Sequence, residues 1–103
     1  MQIFEFERTT NAFNFVFEKE LKAKEIVIVK MPVVSANKRG INDIGWLSDG
    51  NVTLYGTVEK NPKTAVLWHE IKEYHEINKV TSALKIENIG DKPCKIAIRV
   101  IFN

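Results

Sequence analysis

The sequence predicts an all-β chain folded as an antiparallel β-sandwich, jelly-roll-like, of about seven or eight strands. Three observations carry that expectation. Apolar residues alternate with polar ones along several short stretches, as in strands with one face buried. Turn-forming residues punctuate the chain roughly every 8–12 residues, the spacing of sandwiches and barrels. Strands do not alternate with long helical stretches, so a parallel sheet built from βαβ units is not expected.

The elements follow in order. "QIFEFE" near the start reads as a short strand. "AFNFVFE" puts Phe13, Phe15 and Phe17 on one face and Asn14, Val16 and Glu18 on the other. "KELKAK", residues 19–24, holds helix-forming residues for little more than one turn. "EIVIVKM" is apolar at four consecutive positions, Ile26 to Val29, which predicts a strand covered on both faces. "SANKRG" is a polar, basic loop, and "DIGWLS" a short strand. Ser48-Asp49-Gly50-Asn51 reads as a hairpin-type turn in which Gly50 is free to take positive φ. "NVTLYGTVE" places Val52, Leu54 and Val58 together, with Thr53, Tyr55 and Thr57 opposite. Asn61-Pro62 is a turn and "AVLWHEI" a further strand, followed by a loop through "KEYHEINK". "VTSALKIEN" sets Leu84 and Ile86 against Lys85 and Glu87. After a turn at Gly90 to Pro93 the last strand carries Cys94, Ile96, Ile98, Val100 and Phe102 on one face. So apolar a row suits a central strand, paired on both sides and sealed by the opposite sheet.

Length and composition bound what such a fold does. The chain has 103 residues, enough for a single domain spanning 1–103. Hydrophobic residues make up 45% and charged ones 27%, ordinary for a globular protein. Fifteen Lys and Arg nearly balance thirteen Asp and Glu, so no strong pull toward nucleic acid or a membrane surface is expected. The single cysteine, Cys94, excludes an internal disulfide. The first residues show no basic stretch leading into an apolar one, so no signal peptide is expected, and no apolar run approaches the roughly 20 residues needed to cross a bilayer.

Catalytic and metal chemistry lack their usual patterns. His69 and His75 are six apart, whereas a zincin needs two His four apart on one helix face. Cys94 heads an inward row and behaves there as a small hydrophobe. Neither a phosphate-binding glycine loop nor a Gly-x-Ser-x-Gly elbow occurs. No catalytic residue, metal site or cofactor is expected, and the chain is read as a non-enzyme. Trp46, Tyr55, Trp68 and Tyr74 offer flat faces, so a carbohydrate-binding module is the alternative reading, with a glycan as partner.

Residues 52–103 resemble small β-sandwich virion proteins of tailed bacteriophages. The matching pieces are Leu54-Tyr55-Gly56-Thr57, Trp68, Leu84-Lys85-Ile86-Glu87-Asn88 with Gly90, and Ile96 to Ile101 around Arg99. The resemblance implies a structural subunit: capsid decoration, a head fibre or a tail appendage, located in the virion and made in the host cytoplasm. The expected partners are other copies of the chain, for instance in a trimer, and other virion proteins. The residues expected to meet them are Lys38, Arg39, Tyr55, Trp68, Tyr74 and Ile101.

Overall fold

A computed structural model describes residues 2–5, 8–11, 14–31, 41–72 and 81–102. Nine strands run through them: β1 (Gln2–Glu5), β2 (Arg8–Asn11), β3 (Asn14–Leu21), β4 (Ile26–Lys30), β5 (Ile41–Ser48), β6 (Val52–Thr57), β7 (His69–Ile71), β8 (Ala83–Asn88) and β9 (Cys94–Phe102). They form two sheets. The first has the order β1-β4-β8-β6-β7 and the second the order β2-β3-β9-β5. All pairings are antiparallel except β1 with β4. The fold is the expected all-β sandwich.

The core lies between the sheets. Val27, Val29, Leu54, Ile71, Leu84 and Ile86 enter it from the first sheet. Phe17, Leu21, Ile44, Cys94, Ile96, Ile98 and Val100 enter it from the second. β9 is the central strand that its alternation predicts, paired along its length with β3 and with β5. At one end Phe4 of β1 tilts onto Phe17 with ring centroids 6.0 Å apart, and the Lys19 ammonium lies 4.7 Å from the Phe4 ring. Ile26 to Val29 of β4 fit the prediction of two covered faces. Val27 and Val29 face the core, and Ile28, on the outer face, is still only 4% exposed.

Several local expectations need correction. β1 runs parallel to β4 because the chain detours through β2 and β3 of the other sheet before returning, a connection long enough to reverse direction. Lys19 to Leu21 finish β3 rather than starting a helix, and Lys22 to Glu25 turn the chain, with Lys24 at φ 63°. The turn at Ser48 to Asn51 is no hairpin: it carries the chain from β5 in one sheet to β6 in the other. Gly50 is required there for space and not for positive φ, since a Cβ on it would stand 2.6 Å from Cβ of Cys94. β6 stops at Thr57, so Val58 falls outside the strand and is exposed; buried Gly56 takes the next inward place after Leu54. Phe13 lies outside the described residues, and for Phe15 only the backbone is described.

Three cross-sheet turns meet at one end of the sandwich. They are residues 22–25, 49–51 and 89–93, and buried Asn88 ties them together. Its Nδ2 donates to the carbonyls of Lys22 at 3.0 Å and Lys92 at 2.9 Å, while its Oδ1 accepts from Gly90 N at 3.0 Å. Its backbone N–H donates to Glu25 O at 2.9 Å, and Ile89 N donates to Asn51 O at 3.0 Å.

Two stability predictions follow from this packing. Ile98→Ala empties a fully buried site and lowers unfolding free energy by about 2–5 kcal/mol in urea titrations, whereas Leu47→Ala, at a side chain 79% exposed, changes it by less than about 0.5 kcal/mol. Asn88→Ala leaves partly buried carbonyls on two turns without their donor and costs about 1–3 kcal/mol by the same measurement.

Candidate interaction site

The outer face of the first sheet carries one cross-strand row: Ile3, Ile28, Lys85, Tyr55 and Glu70, each opposite the next in register. Over this face folds the β6–β7 connection, residues 58–68. Its sequence explains its shape. Asn61 accepts the Lys63 N–H on its side-chain oxygen at 3.0 Å, and its carbonyl accepts from Thr64 N at 3.2 Å, an Asx turn that Pro62 helps to fix. Pro62 itself is buried. The loop's root is fastened to the start of β8: Ser82 N donates to Thr57 O at 2.8 Å, and the Ser82 hydroxyl donates a short hydrogen bond to Glu59 O.

Glu59 sets the far side of the loop. One carboxylate oxygen accepts the backbone N–H groups of both Val66 and Leu67, each at 2.7 Å. Bonds of this length to an ionised group are the strong kind. The two side chains so held point away from the protein, Val66 79% exposed and Leu67 62% exposed. Next along the chain, half-buried Trp68 donates its indole N–H to Ala65 O at 3.3 Å. The Lys85 ammonium sits between two rings, 4.8 Å from Tyr55 and 5.0 Å from Trp68. Beneath the loop is a cleft of about 550 Å³.

Of the residues singled out in the sequence, Tyr55 and Trp68 are brought together here, with Lys85 between them. Ile101 is not part of this site: it alternates with buried Val100 on β9, on the outer face of the other sheet. Lys38, Arg39 and Tyr74 lie outside the described residues, as does His75. Trp46 is no sugar platform, because it lies opposite Ile98 and packs against the core. Cys94 is buried between the sheets and His69 is exposed on β7. Among the described residues no group of three or more His, Cys, Asp and Glu is placed to hold a metal ion. No helix among the described residues is long and apolar enough to cross a membrane.

Glu59, Val66, Leu67 and Lys85 were not singled out. "AVLW" has the composition of a strand, yet only His69 to Ile71 pair with β6, and the preceding residues form the exposed arm of the loop. The available signal was an acid placed just before an Asn-Pro turn that is followed by an apolar run. Lys85 belongs to the polar row of β8, and nothing along the chain tells that row which rings lie beside it.

Comparison with known proteins gives little. No family model matches the chain, and no curated protein does. A solved structure that matches is a mutant of PliG-Ec, described as a periplasmic inhibitor of g-type lysozyme from Escherichia coli. It is 7% identical, with 99% of this chain and 98% of that one covered and a TM-score of 0.49. Nothing found connects the chain with a phage particle, and the matching protein is an enzyme inhibitor of the periplasm. The expected role in capsid decoration, fibre or appendage and the virion location are corrected, since no family model or curated protein supports them and the matching solved structure is not described as a phage protein; a virion partner is not shown. The quoted pieces of residues 52–103 are mostly sandwich-forming features, core rows of β8 and β9 and close packing at Gly56, which specify a fold rather than a role.

The loop's dependence on Glu59 is directly measurable. Glu59→Ala speeds hydrogen exchange at the Val66 and Leu67 amides by about tenfold or more, the loss of one charged hydrogen bond, while the β9 amides keep their protection.

Proposed function

We propose that the protein is a non-catalytic binding module that engages a protein partner through the 58–68 loop. The observation that carries the reading is the pair Val66 and Leu67, two adjacent apolar side chains displayed to solvent on backbone that Glu59 holds in place. Exposed apolar side chains are common singly, but a fixed adjacent pair on a protruding loop is suited to enter an apolar recess of another protein. Holding the loop before contact lowers the ordering cost of binding. Tyr55 and Trp68 at its foot supply the aromatic groups enriched at interfaces. Whether the partner is a second copy of the chain or another protein is a question of adduct mass.

A photo-crosslinking amino acid at position 67, compared with one at position 99 on the opposite face, tests the reading in the cells that make the protein. Position 67 yields one defined adduct that excess unlabelled chain competes away and the Val66→Asp/Leu67→Asp double variant does not. Both substituted sites are exposed, so the variant folds with stability within about 1 kcal/mol of the original. Equal adducts at 67 and 99, or competition by the double variant, overturns the reading.

A further inference from the structure

We propose that the cleft beneath the 58–68 loop is a binding site for a small organic carboxylate with an apolar body. Its volume, about 550 Å³, lies within the range of small-molecule sites, roughly 300–1,000 Å³. Ile3 and Ile28 of the sheet form its floor, and Pro62 and Ala65 of the loop its wall. The Trp68 ring closes one side. Two charged side chains line it, Lys63 and Lys85, and no carboxylate does. Among the described residues neither lysine is ion-paired with an acid.

The position of Lys85 is unusual for a lysine. Its ammonium is fixed between the Tyr55 and Trp68 rings rather than waving in solvent, at the rim of an apolar hollow. The rings engage part of the cation, and its remaining N–H donors are available for an anion. A recess lined by five apolar side chains and two lysines complements a molecule that is greasy along its length and singly negative at one end. A sugar fits the lining poorly. It would need an array of neutral donors and acceptors for its hydroxyls, and none of the lining side chains is an Asp, Asn, Gln, Ser or Thr. A multiply charged phosphate would leave the apolar floor unused.

4-Cyclohexylbutyrate and its neutral amide are the probes, titrated into the ¹⁵N-labelled full chain and followed by NMR. The carboxylate produces saturable shifts at the Trp68 indole N–H and the Ala65 amide, with the β5 and β9 amides unmoved as internal controls. The amide binds at least about tenfold more weakly, the loss of a charge-assisted hydrogen bond. Lys85→Gln and Lys63→Gln each weaken the carboxylate and leave the amide unchanged. The two ligands are compared on the unaltered protein, so the inference does not depend on how the variants fold. Equal affinity for acid and amide, shifts spread over both sheets, or no saturation by about 10 mM would overturn it.

Discussion

The arrangement hangs on a buried amide at the point where the chain passes from sheet to sheet. Asn88 ends β8, the central strand of one sheet, five residues short of Pro93, the last residue before β9, an inner strand of the other. Its side chain bonds to both neighbouring turns and its backbone to a third residue of the same end. A polar group so deep is tolerated only because its donors and acceptor are occupied. What those bonds secure is alignment. With β8 and β9 fixed at this joint, Leu84 and Ile86 face Cys94, Ile96, Ile98 and Val100 across one core. In the second sheet, β3 and β5 are joined only through β9. Burial of each large side chain contributes roughly 1.5–3 kcal/mol, which is the main driving term, but it is non-directional. The amide fixes how the turns meet at this joint.

That core consumes the inner faces and leaves the two outer faces unequal. The first sheet's outer face carries Ile28, an aliphatic residue with no place in water, and the 58–68 loop is what covers it. Ordering such a loop costs about 1–2 kcal/mol per residue in backbone entropy. Pro62 lowers that cost by restricting the unfolded chain, and the Asn61 turn, the Ser82 anchor and the Glu59 carboxylate offset more of it. A connection needed only to join β6 to β7, which are antiparallel neighbours, could be two to five residues long. The extra length, with the bonds that hold it, covers Ile28 and builds the wall of the cleft.

Much of the sandwich was legible in the chain. The rows of β8 and β9, and Phe17 in β3, needed only period two, because each strand has one face on the core. The four aliphatics of β4 gave away a second covered face, although not its cover. What was illegible depends on partners distant in sequence. The parallel register of β1 is fixed by a strand more than twenty residues on, and the assignment of β5 and β6 to opposite sheets leaves the local turn residues unchanged. Turn chemistry at Ser48 to Asn51 specifies a reversal, not the sheet in which the next strand pairs. The site was legible in half. Tyr55 and Trp68 were visible as aromatic side chains, but the roles of Glu59 and Lys85 come from backbone amides seven and eight residues away and from rings on two other elements.

The outer face of the second sheet shows why we place the proposed recognition on the first. A shallow hollow of about 560 Å³ lies over Ala97, with Leu47 beside it 79% exposed. It too combines apolar and charged groups, yet the charges around it have both signs: Glu18, Glu20 and Asp49 stand with Lys19 and Lys95. Opposed charges on one flat face largely cancel at a distance and favour no ligand of either sign. Only Asp49 of the 49–51 turn borders the hollow from outside the strands, and Leu47 stands alone on a strand rather than in a fixed pair. The first sheet differs on each count. Its charges lining the cleft are both positive, its wall is braced by Pro62 and Glu59, and its apolar pair is displayed on backbone already hydrogen-bonded. Two faces of one slab, similar in composition, are separated by rigidity and by the sign of their charge, and those are the properties from which specificity is built.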